Sequence, residues 1–366
     1  MGTPDFAIPS LLALIEGSYD VIAVITQPDR PKGRHGVLTP PPVKLLALQH
    51  NIPVHQPAKV KDKEFVATLR EMRPDVIVVV AYGQIVSKEI LDIPSKYVGR
   101  AFDVQRSKED FKAGPIPPSP IPGGKGETTL KWCINIHASL LPKYRGSAPI
   151  NWALINGEKV TGVTSMIVTE GLDSGPILLK KEIPIDEDDD ARTLHDKLSE
   201  VGGKLLLDTM NGIISGTLTP IPQDESEATY FPMLKKSDGL IDWARNASEI
   251  RNRIRGLIPW PGAYTYIESR GGVTPPVQES EAKNMLKIYK ADVVPSFPLS
   301  LRERVGMRVS EGQPGAVVEM SESGILVTAG KDCLMINELQ IEGKLRMTAA
   351  EFIRGHKIEK GMVLGS

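Results

Sequence analysis

The sequence predicts an α/β chain: a doubly wound, mostly parallel sheet, followed by a small, OB-like β-barrel at the C-terminal end. Two observations carry that prediction. The first half alternates short, β-branched apolar runs with helix-length segments, and beyond Pro222 the pattern changes to short strand-like runs separated by Gly, Asp and Ser turns. A length of 366 residues leaves room for two domains, each with its own core.

The runs at 21–26 and 76–81 are continuous, β-branched and too short for buried helices. Strands covered on both faces of a parallel sheet have that pattern. Residues 133–137 and 163–168 predict two more strands. Helices are predicted over 9–16, 43–50, 63–70 and 191–214; in the last, Leu194, Leu198, Val201, Leu205 and Met210 recur at helical spacing. Such alternation implies right-handed crossovers, and a sheet of this kind binds ligands at the carboxyl ends of its strands. Beyond Pro222, a helix over 247–255 leads into Pro259-Trp260-Pro261-Gly262, then strands over 285–291, 316–320, 325–329 and 334–339, as in a small barrel. The domains are therefore drawn at 1–222 and 223–366. Two segments, 98–130 and 296–313, interrupt them as insertions; the first is charged, then rich in Pro and Gly, and is expected to be disordered.

Composition excludes several classes. With 44 Lys+Arg against 45 Asp+Glu, bulk charge holds the chain to neither nucleic acid nor membrane. No marked basic excess collects in the tail, so charge gives only weak support for an anionic partner there. Two cysteines make no disulfide framework, and no C-x-x-C pair or His/Cys cluster offers a zinc site. No apolar run approaches the ~18 residues of a membrane span, and the first residues lack a signal layout. A soluble, cytoplasmic protein is expected.

The densest group of chemical residues is Asn135-Ile136-His137-Ala138-Ser139-Leu140-Leu141-Pro142-Lys143-Tyr144-Arg145-Gly146. Strand alternation puts Asn135 and His137 on one face, and the chain breaks at Leu141-Pro142, where the strand should end. An amide and an imidazole aimed together into a crevice can both donate to a developing oxyanion. A lone N-x-H is more often a core pair satisfied by backbone groups; here, however, the pair sits on an otherwise apolar strand, where an unpaired polar group is expensive. A second element, Glu170-Gly171-Leu172-Asp173-Ser174-Gly175, follows the strand at 163–168, and its carboxylate could orient the imidazole. Taken alone, Asp173 reads equally as a turn aspartate.

From Met1 to about Pro222, the segments Ser139-Leu140-Leu141-Pro142-Lys143-Tyr144-Arg145-Gly146, Asn135-Ile136-His137 and Gly171-Leu172-Asp173-Ser174-Gly175 stand in an order that closely resembles the folate-dependent formyltransferases, with their Rossmann-type sheet. Further matches at Gly2-Thr3-Pro4-Asp5-Phe6, 26–31, 80–83, Asp242-Trp243 and Pro259-Trp260-Pro261-Gly262 resemble the branch of that family that acts on aminoacyl-tRNA. The resemblance implies transfer of the formyl group of 10-formyltetrahydrofolate to the α-amine of methionine on initiator tRNA, by a monomer without metal. Asn135, His137 and Asp173 match the family's catalytic triplet. Asn135 and His137 would stabilise the tetrahedral oxyanion, while Asp173 would orient His137 and help move a proton toward N10. Ser139, Leu140, Leu141 and Pro142 match the folate-binding segment, with 82–83 and 168–172 walling the pterin. The loop after Pro28-Asp29-Arg30-Pro31 and the C-terminal barrel would bind tRNA, and Arg34 occupies the loop's key basic position. The loop has fewer lysines than is usual in the family, so a shallower salt dependence is expected.

The family also carries a short apolar strand just before Gly-Thr-Pro-Asp-Phe, where this sequence has only Met1. A sheet lacking that strand is expected to leave its neighbours' backbone groups unpaired, and a start site assigned too far downstream would account for the difference. Other readings of the same residues stay open: a formyltransferase for a small amine such as glycinamide ribonucleotide or an amino sugar, a formyltetrahydrofolate hydrolase, and an inactive nucleic-acid-binding protein. A second, β-rich domain argues against a small acceptor.

Overall fold

β-Branched runs bounded by turn residues become strands wherever both faces can be covered, and the first half of the chain shows how. The computed structural model of the protein describes residues 1–17, 19–32, 36–94, 132–268, 283–295 and 313–365. The segments 98–130 and 296–312 and residue Arg34 lie outside them. In chain order the helices are α1 (Ile8–Glu16), α2 (Pro42–Gln49), α3 (Lys63–Glu71), α4 (Lys88–Leu91), α5 (Pro149–Ile155), α6 (Ala191–Ser215), α7 (Ala247–Gly256) and α8 (Ala349–Gly355). Two compact units result: Met1–Pro149 with Val160–Pro184 and Leu194–Phe231, and Ile150–Lys159 with Ile185–Thr193 and Pro232–Ser366.

The first unit contains β1 (Val24–Ile25), the hairpin β2 (Arg30–Lys32) and β3 (Val37–Thr39), β4 (Val54–His55), β5 (Ile77–Val79), β6 (Cys133–His137), β7 (Arg145–Gly146), β8 (Val160–Ile167), β9 (Ile177–Pro184) and β10 (Tyr230–Phe231). β1 pairs with β4 and β5 with β6, both in parallel. Residues Met1 and Gly2 lie between these pairs: Gly2 N donates to Ile25 O (3.0 Å), Met1 N to Val78 O (2.6 Å), and Val80 N to Met1 O (2.9 Å). These three hydrogen bonds span the gap in part, but among the described residues no strand joins the two pairs: β1-β4 and β5-β6-β8-β9 stay separate sheets, with Gly2 and Val80 forming an isolated bridge.

The expectation of a mostly parallel sheet needs correction on the other side of β6. There β6 pairs antiparallel with β8, and β8 antiparallel with β9, in the order β5-β6-β8-β9. The link from Ile167 to Ile177 is too short for a crossover and can only reverse the chain. β9 escaped notice in the sequence because its outer half is the polar Lys180-Lys181-Glu182 of an edge strand. Helices cover both faces. On one, α3 and α4 pack Val66, Leu69, Ile90 and Leu91 against Ile25, Ile77, Val79 and Cys133. On the other, α6 approaches closely at Gly202, where an added Cβ would lie 3.2 Å from Ile136, and Thr209 Oγ1 donates to Ser165 Oγ (2.8 Å).

The second unit is an antiparallel sheet of β11 (Ala263–Glu268), β12 (Lys283–Val294), β13 (Val317–Ser321), β14 (Gly324–Thr328), β15 (Cys333–Ile341) and β16 (Met347–Thr348). The strand order is β11-β12-β15-β14-β13, with β16 on β15, and α7 packs against β12 and β15. The predicted barrel is not found: among the described residues no ladder joins the edge strands β11 and β13. The C-terminal residues lie along both edges: Tyr266 N and Gly365 N each donate to the other's carbonyl (2.9 Å), and on the other side Val317 N donates to Met362 O, Gly361 N to Val317 O and Leu364 N to Gly315 O (each 2.8 Å), but they form no strand of a continuous ladder.

Candidate active site

Strand β6 runs from the core to the carboxyl end of its sheet. Cys133, Asn135 and His137 alternate onto the same side; Cys133 lies under α3 and α4, Asn135 is half-buried, and His137 is 7% exposed at the carboxyl end. Across the antiparallel register, Met166 faces Asn135 and Thr164 faces His137.

The imidazole is held on one side and faces a carboxylate on the other. Nε2 lies 3.0 Å from Tyr144 O, and Nδ1 lies 3.8 Å from Asp173 Oδ1. A carbonyl only accepts, so Nε2 carries the proton, and Nδ1 is the nitrogen that faces the carboxylate and can exchange one. Asp173 stands at φ +47° in the loop between β8 and β9, and its Oδ2 accepts from Gly146 N (2.9 Å). Gly146 is at φ +115°, and a Cβ there would sit 2.3 Å from Phe231 O, so only glycine lets this N–H reach the aspartate. The sequence-derived triplet Asn135, His137 and Asp173 is thus brought to one end of the sheet.

The segment after β6 is fixed through Thr164. Its hydroxyl donates to Ser139 O (2.6 Å) and accepts from Leu141 N (3.1 Å), while Ser139 Oγ donates to Lys143 O (2.8 Å). Ser139, Leu141 and Pro142 are buried, and only Leu140 of the four is partly exposed. The turn therefore offers a ligand chiefly its backbone and Leu140. Tyr82, also expected near the pterin, is 2% exposed within the core cluster, and burial pushes its phenol up to about 12. What this neighbourhood does present outward is Ile85, 89% exposed, and Leu172, 61% exposed.

Two residues that the sequence did not single out support this arrangement. Arg145 is wholly buried: its guanidinium donates to Glu225 through both Nη atoms (2.9 and 2.7 Å), to Tyr230 OH (2.5 Å) and to Gln223 Oε1 (3.1 and 2.9 Å). The Glu225 carboxylate holds the guanidinium pKa above its usual value. Gln223 had marked only the domain boundary. An arginine inside a buried segment was a usable signal for Arg145; Gln223 gave none, because its partners are remote in sequence. Among the described residues no group of three or more His, Cys, Asp or Glu side chains could hold a metal ion, and no helix is long and apolar enough to cross a membrane.

Comparison with known proteins agrees with this geometry. The family described as Formyl transferase matches residues 1–98 and 127–210, and its C-terminal domain matches 233–357. The chain belongs to the formyl transferase family. Within that family, a methionyl-tRNA formyltransferase of Geobacter sulfurreducens is 44% identical over all of this chain and 95% of its own, and one of Caldanaerobacter subterraneus is 43% identical over all of this chain and 98% of its own. The enzyme is a member of this methionyl-tRNA formyltransferase group and places a formyl group on methionyl-tRNA. Two solved structures share the fold: the sugar 3N-formyl transferase WlaRD in the presence of dTDP and 5-N-formyl-THF (TM-score 0.57, 19% identity, covering 94% of this chain and 97% of that one), and the N-formyltransferase of Helicobacter canadensis with folinic acid and dTDP-3-aminofucose (TM-score 0.55, 18% identity, covering 92% and 97%).

Proposed function

We propose that the formyl donor is 10-formyltetrahydrofolate, that the acceptor is the α-amine of methionine on initiator tRNA, and that the reaction occurs over Asn135, His137 and Asp173. Two fold relatives were crystallised with 5-N-formyl-THF and with folinic acid, which supports a folate donor. The uncharged amine attacks the formyl carbon, and the Asn135 amide donates to the oxyanion that forms; the share of that role expected of His137 falls away, because its Nε2–H is turned to Tyr144 O. Nδ1 of His137 takes the amine proton and returns it to N10 as the C–N10 bond breaks, leaving tetrahydrofolate and the formylated amine. The Asp173 carboxylate faces the positive charge that the ring carries meanwhile. No acyl-enzyme is needed, because donor and acceptor are held together. The observation that carries this reading is the imidazole hydrogen-bonded to Tyr144 O with its other nitrogen facing Asp173 Oδ1 at 3.8 Å.

Residues 1–222 are read as the catalytic domain and 223–366 as a tRNA-binding domain, assisted by Arg34. The enzyme is read as a cytoplasmic monomer. The test supplies initiator and elongator methionyl-tRNA with 10-formyltetrahydrofolate. Formylated initiator tRNA is expected, and His137→Ala, Asn135→Ala and Asp173→Asn should each lower turnover roughly 100-fold or more. Turnover undiminished in His137→Ala, or donor consumed without formylated tRNA, would refute it.

A further inference from the structure

We propose that Gln223 is a positioning residue for Asp173, clamped in its working orientation by the buried Arg145; the proposal rests on the catalytic reading of Asp173 given above. All four hydrogen-bonding positions of the Gln223 amide are used. Oε1 accepts from Arg145 Nε (3.1 Å) and Nη2 (2.9 Å), and Nε2 donates to Asp173 O and Gly175 O (both 2.8 Å). The amide has one possible orientation: turned over, its NH2 would face a guanidinium, which only donates, and its oxygen would face two carbonyls, which only accept. Arg145 cannot drift either, because Glu225 takes its outer edge bidentately and its backbone N donates to Thr229 O (2.9 Å).

The target of this clamp needs one. Asp173 sits at φ +47°, a region that non-glycine residues leave unless the surroundings hold them there. Gly175 is pressed so close to Ile167 O that a Cβ would lie 1.7 Å away, which fixes the far side of the loop. Gln223 thus secures the Asp173 peptide, Gly146 N secures Oδ2, and Oδ1 is left toward His137 Nδ1. Neither end of the clamp touches the reacting atoms; it acts by holding the carboxylate at a set distance from the imidazole.

Gln223→Glu separates the two ends. The carboxylate keeps Arg145 satisfied but turns an oxygen toward two carbonyl oxygens, so the 170–175 loop shifts while the arginine cluster stays whole. Thermal unfolding and far-UV circular dichroism should stay close to wild type, whereas turnover should fall roughly 10- to 100-fold, as a misplacement of about 1 Å does. In an Asp173→Asn background the same change should alter turnover by less than about twofold, because both act through one carboxylate. Gln223→Met, which fills a similar volume without polar ends, is expected to lose turnover likewise and serves if the glutamate variant fails to fold. Hydrogen exchange at 170–175 should accelerate in either variant, whatever Asp173 does in catalysis. Unchanged exchange and turnover in Gln223→Glu, or a loss of full size in the Asp173→Asn background, overturns the proposal. Full turnover in Asp173→Asn with accelerated exchange in Gln223→Glu instead sinks the catalytic reading, and the positioning role with it, while leaving the clamp itself standing.

Discussion

Two buried arginines, one in each compact unit, are satisfied by different partners. Arg145 in the first unit meets a carboxylate, an amide and a phenol, and the Glu225 carboxylate raises its pKa. Arg255 in the second unit, 8% exposed, donates to Asn252 Oδ1 at 3.0 Å, Asp186 O at 3.2 Å and Asp189 O at 3.3 Å, with the charges of Glu187 and Asp189 nearby. Burial, with Arg251 adding to it, pushes its pKa below the usual value. The first is the centre of a side-chain network that reaches the loop of Asp173; the second ties backbone carbonyls at the start of the 185–190 turn. A buried guanidinium can therefore serve a site or serve only a fold, and the partners show which.

The largest effect should follow Arg145→Met. It leaves Gln223 Oε1 and Tyr230 without their donor and releases the 170–175 loop, so urea unfolding should show a loss of about 3 kcal/mol and turnover a fall of roughly 100-fold. Arg255→Met should be milder, about 1–2 kcal/mol for carbonyls losing a donor, with turnover of the folded protein within about twofold of wild type. If Arg255→Met silenced the enzyme without unfolding it, the contrast between the two arginines would fail.

The two cysteines sharpen the comparison, since one lies in each unit. Burial raises Cys133 to about 12 and Cys333 to about 11, so neither presents appreciable thiolate at neutral pH. Native protein should react negligibly with a thiol reagent, and with rising urea Cys133 should be labelled earlier in Arg145→Met than in wild type, while Cys333 should not.

The smallest effect concerns Glu187, which joins the Arg255 region through Lys159 (2.8 Å) and Arg251 (2.8 Å). Hydrogen bonds from those two cations, Lys159 first, lower its pKa from 4.5 to about 2. The folded state thus favours the ionised form: the contribution is complete above the ordinary pKa and is lost as pH falls through about 2. Because the Glu187 side chain is 68% exposed, solvent keeps the effect small. The Tm difference between wild type and Glu187→Gln should be present near neutral pH, shrink as pH falls below about 4.5 and vanish near about 2. A difference that persisted unchanged in acid would show that the ion pairs contribute nothing.

Legibility in the sequence followed how local each signal was. The strand 133–137 and the helix ending at Glu16 were bounded closely, because apolar runs and helical spacing are local patterns. The antiparallel half of the first sheet is not legible in the sequence: β9 presents lysines and a glutamate outward, and the 138–159 link, long enough for a crossover, does not tell that β8 returns antiparallel to β6. Barrel closure was overread for a similar reason, since short strands and turns describe a meander without saying which edges meet. At the site, Asn135 and His137 were legible through alternation along one strand. Their relation to Asp173 was not, because 36 positions of chain separate His137 from it.

The amino-acid order by itself marked the candidate groups for the proposed chemistry: an amide and an imidazole two residues apart on one strand, and a carboxylate between glycines in a later turn. Only the folded chain decided how they work. Nε2 is assigned by the carbonyl of Tyr144, Oδ2 by the bare backbone of Gly146, and the loop itself by a glutamine some fifty positions downstream, held by an arginine that has no access to water. Side-chain periodicity is set between neighbours along the backbone, whereas hydrogen-bond partners are set by which segments the packed core brings within about 3 Å of one another.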